Sequence, residues 1–194
     1  MRSLVSPGVS GLLVPLILCV AEIPAHAAAD LAVRADREGD AVEVRAQATL
    51  AATPGLVWDV LTDYEALPRF IPGLSKSVVR ERSPGRALLE QSGDARFLVF
   101  SFPIDVRLEV TENAPHWISS HAISGNLRRM TGRYDVVPAT RGAGCTLLYR
   151  GLLEPGFALP PIVGLAAMRS MVEEQFAAMV AEIERRSAAA PVGK

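Results

Sequence analysis

The first regular pattern in the chain is an alternation. In AVEVRAQATL, residues 41 to 50, Val42, Val44, Ala46, Ala48 and Leu50 are apolar while Glu43, Arg45, Gln47 and Thr49 are polar, the period of a strand with one buried face. The period then lengthens. Thr53-Pro54 supplies an N-cap and a first helical residue with no N–H to leave unpaired, and Leu56, Val57, Val60, Leu61 and Tyr64 form an inner stripe. Pro68 and Pro72 stop this helix, because each removes an amide donor and restricts the residue before it, leaving room for one short helical turn around Glu65 to Phe70.

From Lys76 to Glu112 the pattern predicts strands divided by turns at Ser83-Pro84-Gly85 and Ser92-Gly93-Asp94. The last of them, RFLVFSFPIDVRLEV, is apolar at every even position from Leu98 to Val110, so it reads as one long strand that must curve, with Pro103 at an edge or a bulge. Trp117 to Ser124, Leu127 to Val137 and Cys145 to Leu153 follow as strands between turn signals. After Pro160-Pro161, Leu165, Met168, Val172, Phe176, Met179 and Ile183 recur at helical spacing to about Arg186. The order is a strand, a broken helix, six antiparallel strands and a long helix. A curved antiparallel sheet has one face to cover, and only the terminal helix is long enough to cover it. The expected fold is α+β, a grip of six to seven strands around the C-terminal helix.

The N-terminus changes the picture of where the protein works. Arg2 provides a short positive region, Val9 to Ala21 is almost wholly apolar, and Ala25-His26-Ala27 has the small-x-small form of a cleavage site. Residues 1–27 are therefore expected to be a secretory signal removed after Ala27, giving a periplasmic or secreted protein. An uncleaved anchor is the alternative, but the apolar run is interrupted by Pro15 and is shorter than a spanning helix needs. The expected organisation is signal 1–27, linker 28–40, one domain over 41–186 and a disordered tail over 187–194.

Charge excludes one class of partner. With 20 basic and 21 acidic residues, and Arg2 and Glu22 both lost with the signal, there is no electrostatic reason to expect nucleic acid. Cys145 alone remains of the two cysteines, so no disulfide forms within the mature chain. His116 and His121 have no ligand spacing, so no metal is expected and no cofactor is implied. Both histidines are read as surface strand or turn residues.

The stretch TPGLVWDVLTDYEALPRFIPGL resembles the first-helix signature of the START-like, helix-grip superfamily (SRPBCC), in its polyketide cyclase/dehydrase and coenzyme Q-binding branch. Gly125 and Gly132 around LRRMT, Gly144-Cys145-Thr146 before Tyr149, and Glu154-Pro155 before the last helix are weaker echoes, and the resemblance spans about residues 41 to 186. It implies a cavity between sheet and terminal helix for a lipid-, quinone- or polyketide-like molecule. On that reading Phe70 and Ile71 form a lip at the mouth, and the walls come from Phe100, Phe102, Val106 and Leu108, from Met130 and Tyr134, from Leu147 and Tyr149, and from Met168, Met171, Val172 and Phe176. The competing reading is that these side chains fill a solid core.

Tyr134 and Tyr149 stand apart, because a buried phenol must find a hydrogen-bond partner, either a nearby backbone carbonyl or a ligand oxygen. Arg128, Arg129 and Arg133 read as a solvated sheet edge, with transient docking to anionic lipid headgroups as the alternative. The inward-facing set holds no His, Asp, Glu or Lys, which favours a non-catalytic carrier over a cyclase or dehydratase. A one-residue slip in strand phase would turn His121 or Glu90 inward and weaken that preference. An envelope protein-binding module with a filled core is the third reading.

Overall fold

The structure, a computed structural model, describes residues 30–97, 100–156 and 161–190. The expected signal over 1–27 lies outside them. The order is β1 (Ala32–Glu38), β2 (Ala41–Leu50), α1 (Pro54–Thr62), a 3-10 turn (Tyr64–Arg69), β3 (Leu74–Ser83), β4 (Arg86–Phe97), β5 (Phe100–Asn113), β6 (Trp117–Gly125), β7 (Leu127–Pro138), β8 (Cys145–Pro155) and α2 (Pro161–Ala189). The strands form one open antiparallel sheet in the order β1-β2-β8-β7-β6-β5-β4-β3, and α2 lies against its concave face. This is the α+β helix-grip architecture expected from the element order. No described helix is long and apolar enough to cross a membrane.

Four local expectations are corrected. The segment assigned to a linker carries β1, which pairs along its whole length with β2 and makes the sheet eight-stranded. Its charge-rich sequence, AVRADRE, buries only Val33, so it has the composition of an edge strand and little apolar alternation to betray it. The apolar run from Leu98 to Val110 is divided: Phe97 pairs with Phe100, so β4 ends and β5 begins inside it. Ser92-Gly93-Asp94 is no turn but part of β4, where Gly93 lets another backbone come close. A Cβ there would stand 2.9 Å from the Gly73 carbonyl carbon. At the far end α2 runs on to Ala189, past the expected limit at Arg186.

The broken helix folds as its sequence dictates, with one refinement. Thr53 caps α1, its hydroxyl accepting from the Leu56 N–H at 3.3 Å, with Pro54 next. The helix ends at Thr62, ahead of both prolines, and Pro68 falls inside the 3-10 turn. There it costs little, because the Leu67 carbonyl starts a fresh turn by accepting from Phe70 N at 3.1 Å and Ile71 N at 2.8 Å. The turn covers the exposed edge of β3, where Glu65 accepts from the Val79 N–H at 3.4 Å.

Pro103 occupies an edge-like position within an interior strand. β6 pairs with β5 only as far as Val106, so the side of Pro103 that lacks a donor faces no strand. Asn126 fills the gap: its amide donates to Pro103 O at 2.6 Å and its carbonyl accepts from Asp105 N at 3.0 Å. Bulges in the β3–β4, β5–β6 and β7–β8 pairings help the sheet to curve.

The concave face has a solid part and a hollow part. Val44, Leu50, Val57, Val60, Leu147, Phe176 and Ile183 are fully buried among β2, β8, α1 and the second half of α2. Between β3–β7 and the first half of α2 the packing opens.

Candidate functional site

The opening is a cavity of about 240 Å³ enclosed by sheet, 3-10 turn and α2. Its walls follow from strand phase. Leu89 and Gln91 on β4, Ile104, Val106, Leu108 and Val110 on β5, and Ile118 and Ser120 on β6 point inward at every second residue. α2 contributes Met168, Met171, Val172, Gln175 and Met179, spaced to share one helix face.

Of the residues read from sequence as ligand contacts, Ile71, Phe102, Val106, Leu108, Met130, Tyr134, Tyr149, Met168, Met171 and Val172 line this space. Leu147 and Phe176 do not: at 0% and 1% exposed they belong to the solid core, for which the same alternation and helical spacing equally qualify them. Of the pair expected at the lip, Ile71 lines the cavity while Phe70 is half-buried against the core. The side chain of Phe100 lies outside the described residues. The wall residues not anticipated include the polar Gln91, Ser92, Asp94, Ser120 and Gln175, then Leu61 of α1 with Tyr64 and Leu67 of the 3-10 turn, and further apolar positions of strands and helix such as Leu89, Ile104, Val110 and Met179.

The cavity reaches solvent at one end, its mouth, where the lining residue Gly73 and the adjacent Pro72 are exposed. The 3-10 turn leads into Pro72 and Gly73, which cross β4 where the Asp94 N–H donates to Gly73 O at 2.7 Å. Gly73 has a φ of +78°, and a Cβ there would fall 2.6 Å from Asp94 O. Gln175 of α2 donates to Pro72 O at 3.3 Å, so helix, loop and sheet are tied together around Ile71.

The other end is aromatic and polar. Tyr134 and Tyr149 are cross-strand partners on β7 and β8, their ring centroids 4.8 Å apart. Tyr149 lies along its own strand over Gly151 and against Gly132, the pair two positions along the register. Neither phenol has a hydrogen-bond partner among the described residues, and no buried side-chain oxygen is sealed off unpaired, so both hydroxyls open onto the cavity. The backbone partner that was the alternative expectation is absent there. Burial holds the Tyr134 hydroxyl far above the usual phenol range, with Tyr149 adding to the effect, and pushes Tyr149 up to about 12.

Tyr64 also faces the cavity, but its hydroxyl is occupied, donating to Glu112 Oε1 at 2.7 Å. Burial first, and then that carboxylate, raise its pKa strongly. Arg82 completes the cluster, 3.3 Å from Glu112 and stacked 5.4 Å above the Tyr64 ring.

The other candidate chemistry points outward. His121 is exposed beside Glu109 at 3.3 Å, and Glu90 meets Arg80 and Arg107 on the convex face, where the Arg80 hydrogen bond leads in lowering its pKa. The feared slip in phase does not occur. Arg128 and Arg129 lean on Glu154, while Arg133 grips Asp135 at 2.7 Å and stacks 4.4 Å from Trp117, so each arginine of the cluster has an acidic partner. Cys145 is buried, its thiol donating to Ala52 O, and burial raises its pKa. No group of three or more metal-ligating residues occurs among the described residues.

The sequence over residues 50–180 matches the family model of polyketide cyclase/dehydrase and lipid transport proteins. The chain belongs to that family. Solved structures with the same fold include a START superfamily protein from Mycobacterium smegmatis, at TM-score 0.65 and 17% identity over 74% of this chain and 98% of that one. An aromatase/cyclase from Streptomyces aligns at TM-score 0.63 and 18% identity over 76% of this chain and 96% of its own. A STAR-related lipid transfer protein from Xanthomonas axonopodis aligns at TM-score 0.62 and 16% identity over 80% and 98%. Comparison with curated protein sequences returns no match. Family and fold together indicate a protein that binds a hydrophobic ligand, and at these identities the solved structures speak for the fold alone.

Proposed function

We propose that this family member is an exported, non-catalytic carrier that holds a lipid-, quinone- or polyketide-like molecule between sheet and terminal helix. The observation that carries the reading is the composition of the cavity wall. Its ionisable groups among the described residues are three tyrosines and Asp94, with no Lys, Arg, His, Cys or Glu. An apolar chamber with a few polar groups suits binding and orientation. General acid–base catalysis needs a group that exchanges protons near neutrality, and the Tyr134 and Tyr149 hydroxyls are shifted away from it.

Export rests on the signal-like residues 1–27, and transient membrane contact on the need of any such carrier to load its cargo. The second reading is a cyclase or dehydratase, favoured by one feature, Asp94 at the mouth within reach of an entering substrate. A protein-binding module with a filled core fits poorly with an open cavity. The deciding experiment is to purify the protein natively from the cell envelope and identify by mass spectrometry what organic solvent extracts from it. A stoichiometric apolar compound recovered intact supports the carrier. Turnover of a polyketide-like compound, abolished by Asp94→Asn, would replace it with the enzyme.

A further inference from the structure

We infer that the cavity selects elongated apolar molecules that carry a neutral acceptor oxygen, a ketone or quinone carbonyl, at their leading end, and that Tyr134 and Tyr149 receive that oxygen. The inference rests on the proposed binding role and goes on to name the ligand chemistry and its direction.

Three observations converge on it. First, the polar groups are distributed unevenly. Tyr134 faces Ile118, which faces Glu112 of β5, whereas Gly93 at the mouth faces Ile104 of the same strand. Eight residues of extended chain separate those two levels, roughly 26 Å at about 3.3 Å per residue. Between them the wall is mainly Val106, Leu108, Val110, Met130, Leu153 and Met168, with Gln91 and Ser120 as its polar positions. A guest that reaches the tyrosines must pass an apolar length first.

Second, the two hydroxyls are donors without acceptors. Both side chains are partly buried and their hydroxyls meet the cavity rather than a protein oxygen, so water or a guest must pair them. Tyr64 shows how this fold satisfies such a group when it is structural, with Glu112 supplied at 2.7 Å. Nothing comparable is supplied to Tyr134 or Tyr149. The register places Gly132 and Gly151 beside Tyr149, which clears the floor beneath the ring and leaves the hydroxyl facing the cavity on the side of Ser120.

Third, the charge of the guest is constrained. Both phenols remain protonated donors at neutral pH, and no cation lines the cavity among the described residues. A carboxylate or phosphate carried to the tyrosines would be an anion buried without a countercharge. A carbonyl oxygen accepts from both hydroxyls without that penalty.

The test uses displacement of N-phenyl-1-naphthylamine by 2-undecanone and by undecane, on wild type, Tyr134→Phe, Tyr149→Phe and the double variant, with thermal melts to confirm folding. The expected result is that the double variant binds the ketone about tenfold or more weakly, the worth of one to two net hydrogen bonds, while the affinity for the alkane is unchanged. Equal affinities of wild type and double variant for the ketone would overturn the inference and leave the carrier reading standing. Failure of the dye and both competitors to bind wild type would overturn both together.

Discussion

Tyr149 lies so closely over Gly151, two residues along its own strand, that a Cβ on the glycine would stand 2.7 Å from the tyrosine Cζ. The phenol therefore keeps its place in the cavity only because residue 151 has no side chain. An aromatic ring covering a strand glycine also returns the packing that the glycine gives up.

Gly151→Ala should separate stability from binding. The colliding atoms are the far end of a side chain that can rotate away, so the expected cost is about 1–2 kcal/mol, at the lower end of overpacking changes. The Tyr149 hydroxyl leaves its position, and discrimination between ketone and alkane should fall as far as in Tyr149→Phe. Calorimetry and the displacement assay check the two halves. A variant that discriminates as well as wild type would show that the ring position is irrelevant to recognition.

At the mouth the crowding is between two backbones, which gives the opposite balance. Gly93→Ala sets a methyl against the Gly73 carbonyl, and no rotamer change relieves it. The expected loss is about 2–3 kcal/mol, read as a fall in Tm of roughly 5–10 °C. Dye release should accelerate in stopped-flow, because the Gly73–Asp94 hydrogen bond that fixes Ile71 over the opening is strained. Unchanged release in a destabilised variant would remove the mouth from the binding path.

Much of this architecture is legible in the order and period of the apolar residues, and the reasons for the exceptions are physical. β2 and α2 have one wet face and one dry face, so Val42 to Leu50 and Met168 to Ile183 announce themselves. β1 has hardly any dry face to announce, since α2 and β2 give it cover mainly at Val33. Gly93 misleads because glycine serves turns and close approaches alike. The cavity wall is harder still, because Leu147 and Leu108 obey the same strand alternation while one fills the core and the other faces a void. Only the stand-off of α2 from the sheet distinguishes them. Gln91 and Gln175 were findable, since they occupy the inward phase between Leu89 and Gly93 and between Val172 and Met179. A polar residue in an apolar stripe is the signal of a lined cavity.

Acid should loosen the junction of the two helices. Glu182 accepts from Arg185 and Arg186, each at 2.7 Å, and Arg186 reaches Asp63 at the end of α1 at 3.0 Å. The Arg185 hydrogen bonds lead in lowering the Glu182 pKa from 4.5 to about 2. A depressed carboxylate contributes stability that is complete above the unfolded pKa and is lost as pH falls through the folded one, here between about pH 5 and 2. Because Arg185 is exposed the contribution is discounted to about 1 kcal/mol. Denaturant titrations at pH 6 and pH 2.5 should show a smaller difference for Glu182→Gln than for wild type, and equal differences would refute the assignment.

Alkali offers a sharper reading, because the chain has only three tyrosines and all three are raised. Burial pushes Tyr149 up to about 12 and Tyr64 and Tyr134 further, against about 10 for a phenol in the unfolded chain. The sign follows from which state ionises first. Below about pH 9 the tyrosines leave stability independent of pH, and above 10 the unfolded state loses three protons that the folded state keeps. Stability then falls by about 4 kcal/mol per pH unit until the folded phenols themselves titrate. Absorbance at 295 nm should therefore show no phenolate at pH 10.5 in folded protein, followed by all three phenolates together in one step coincident with loss of the near-ultraviolet circular dichroism. A tyrosine that ionises near pH 10 while the fold persists would place that hydroxyl in water. If that tyrosine were Tyr134 or Tyr149, the polar end of the cavity would not be shielded from bulk water.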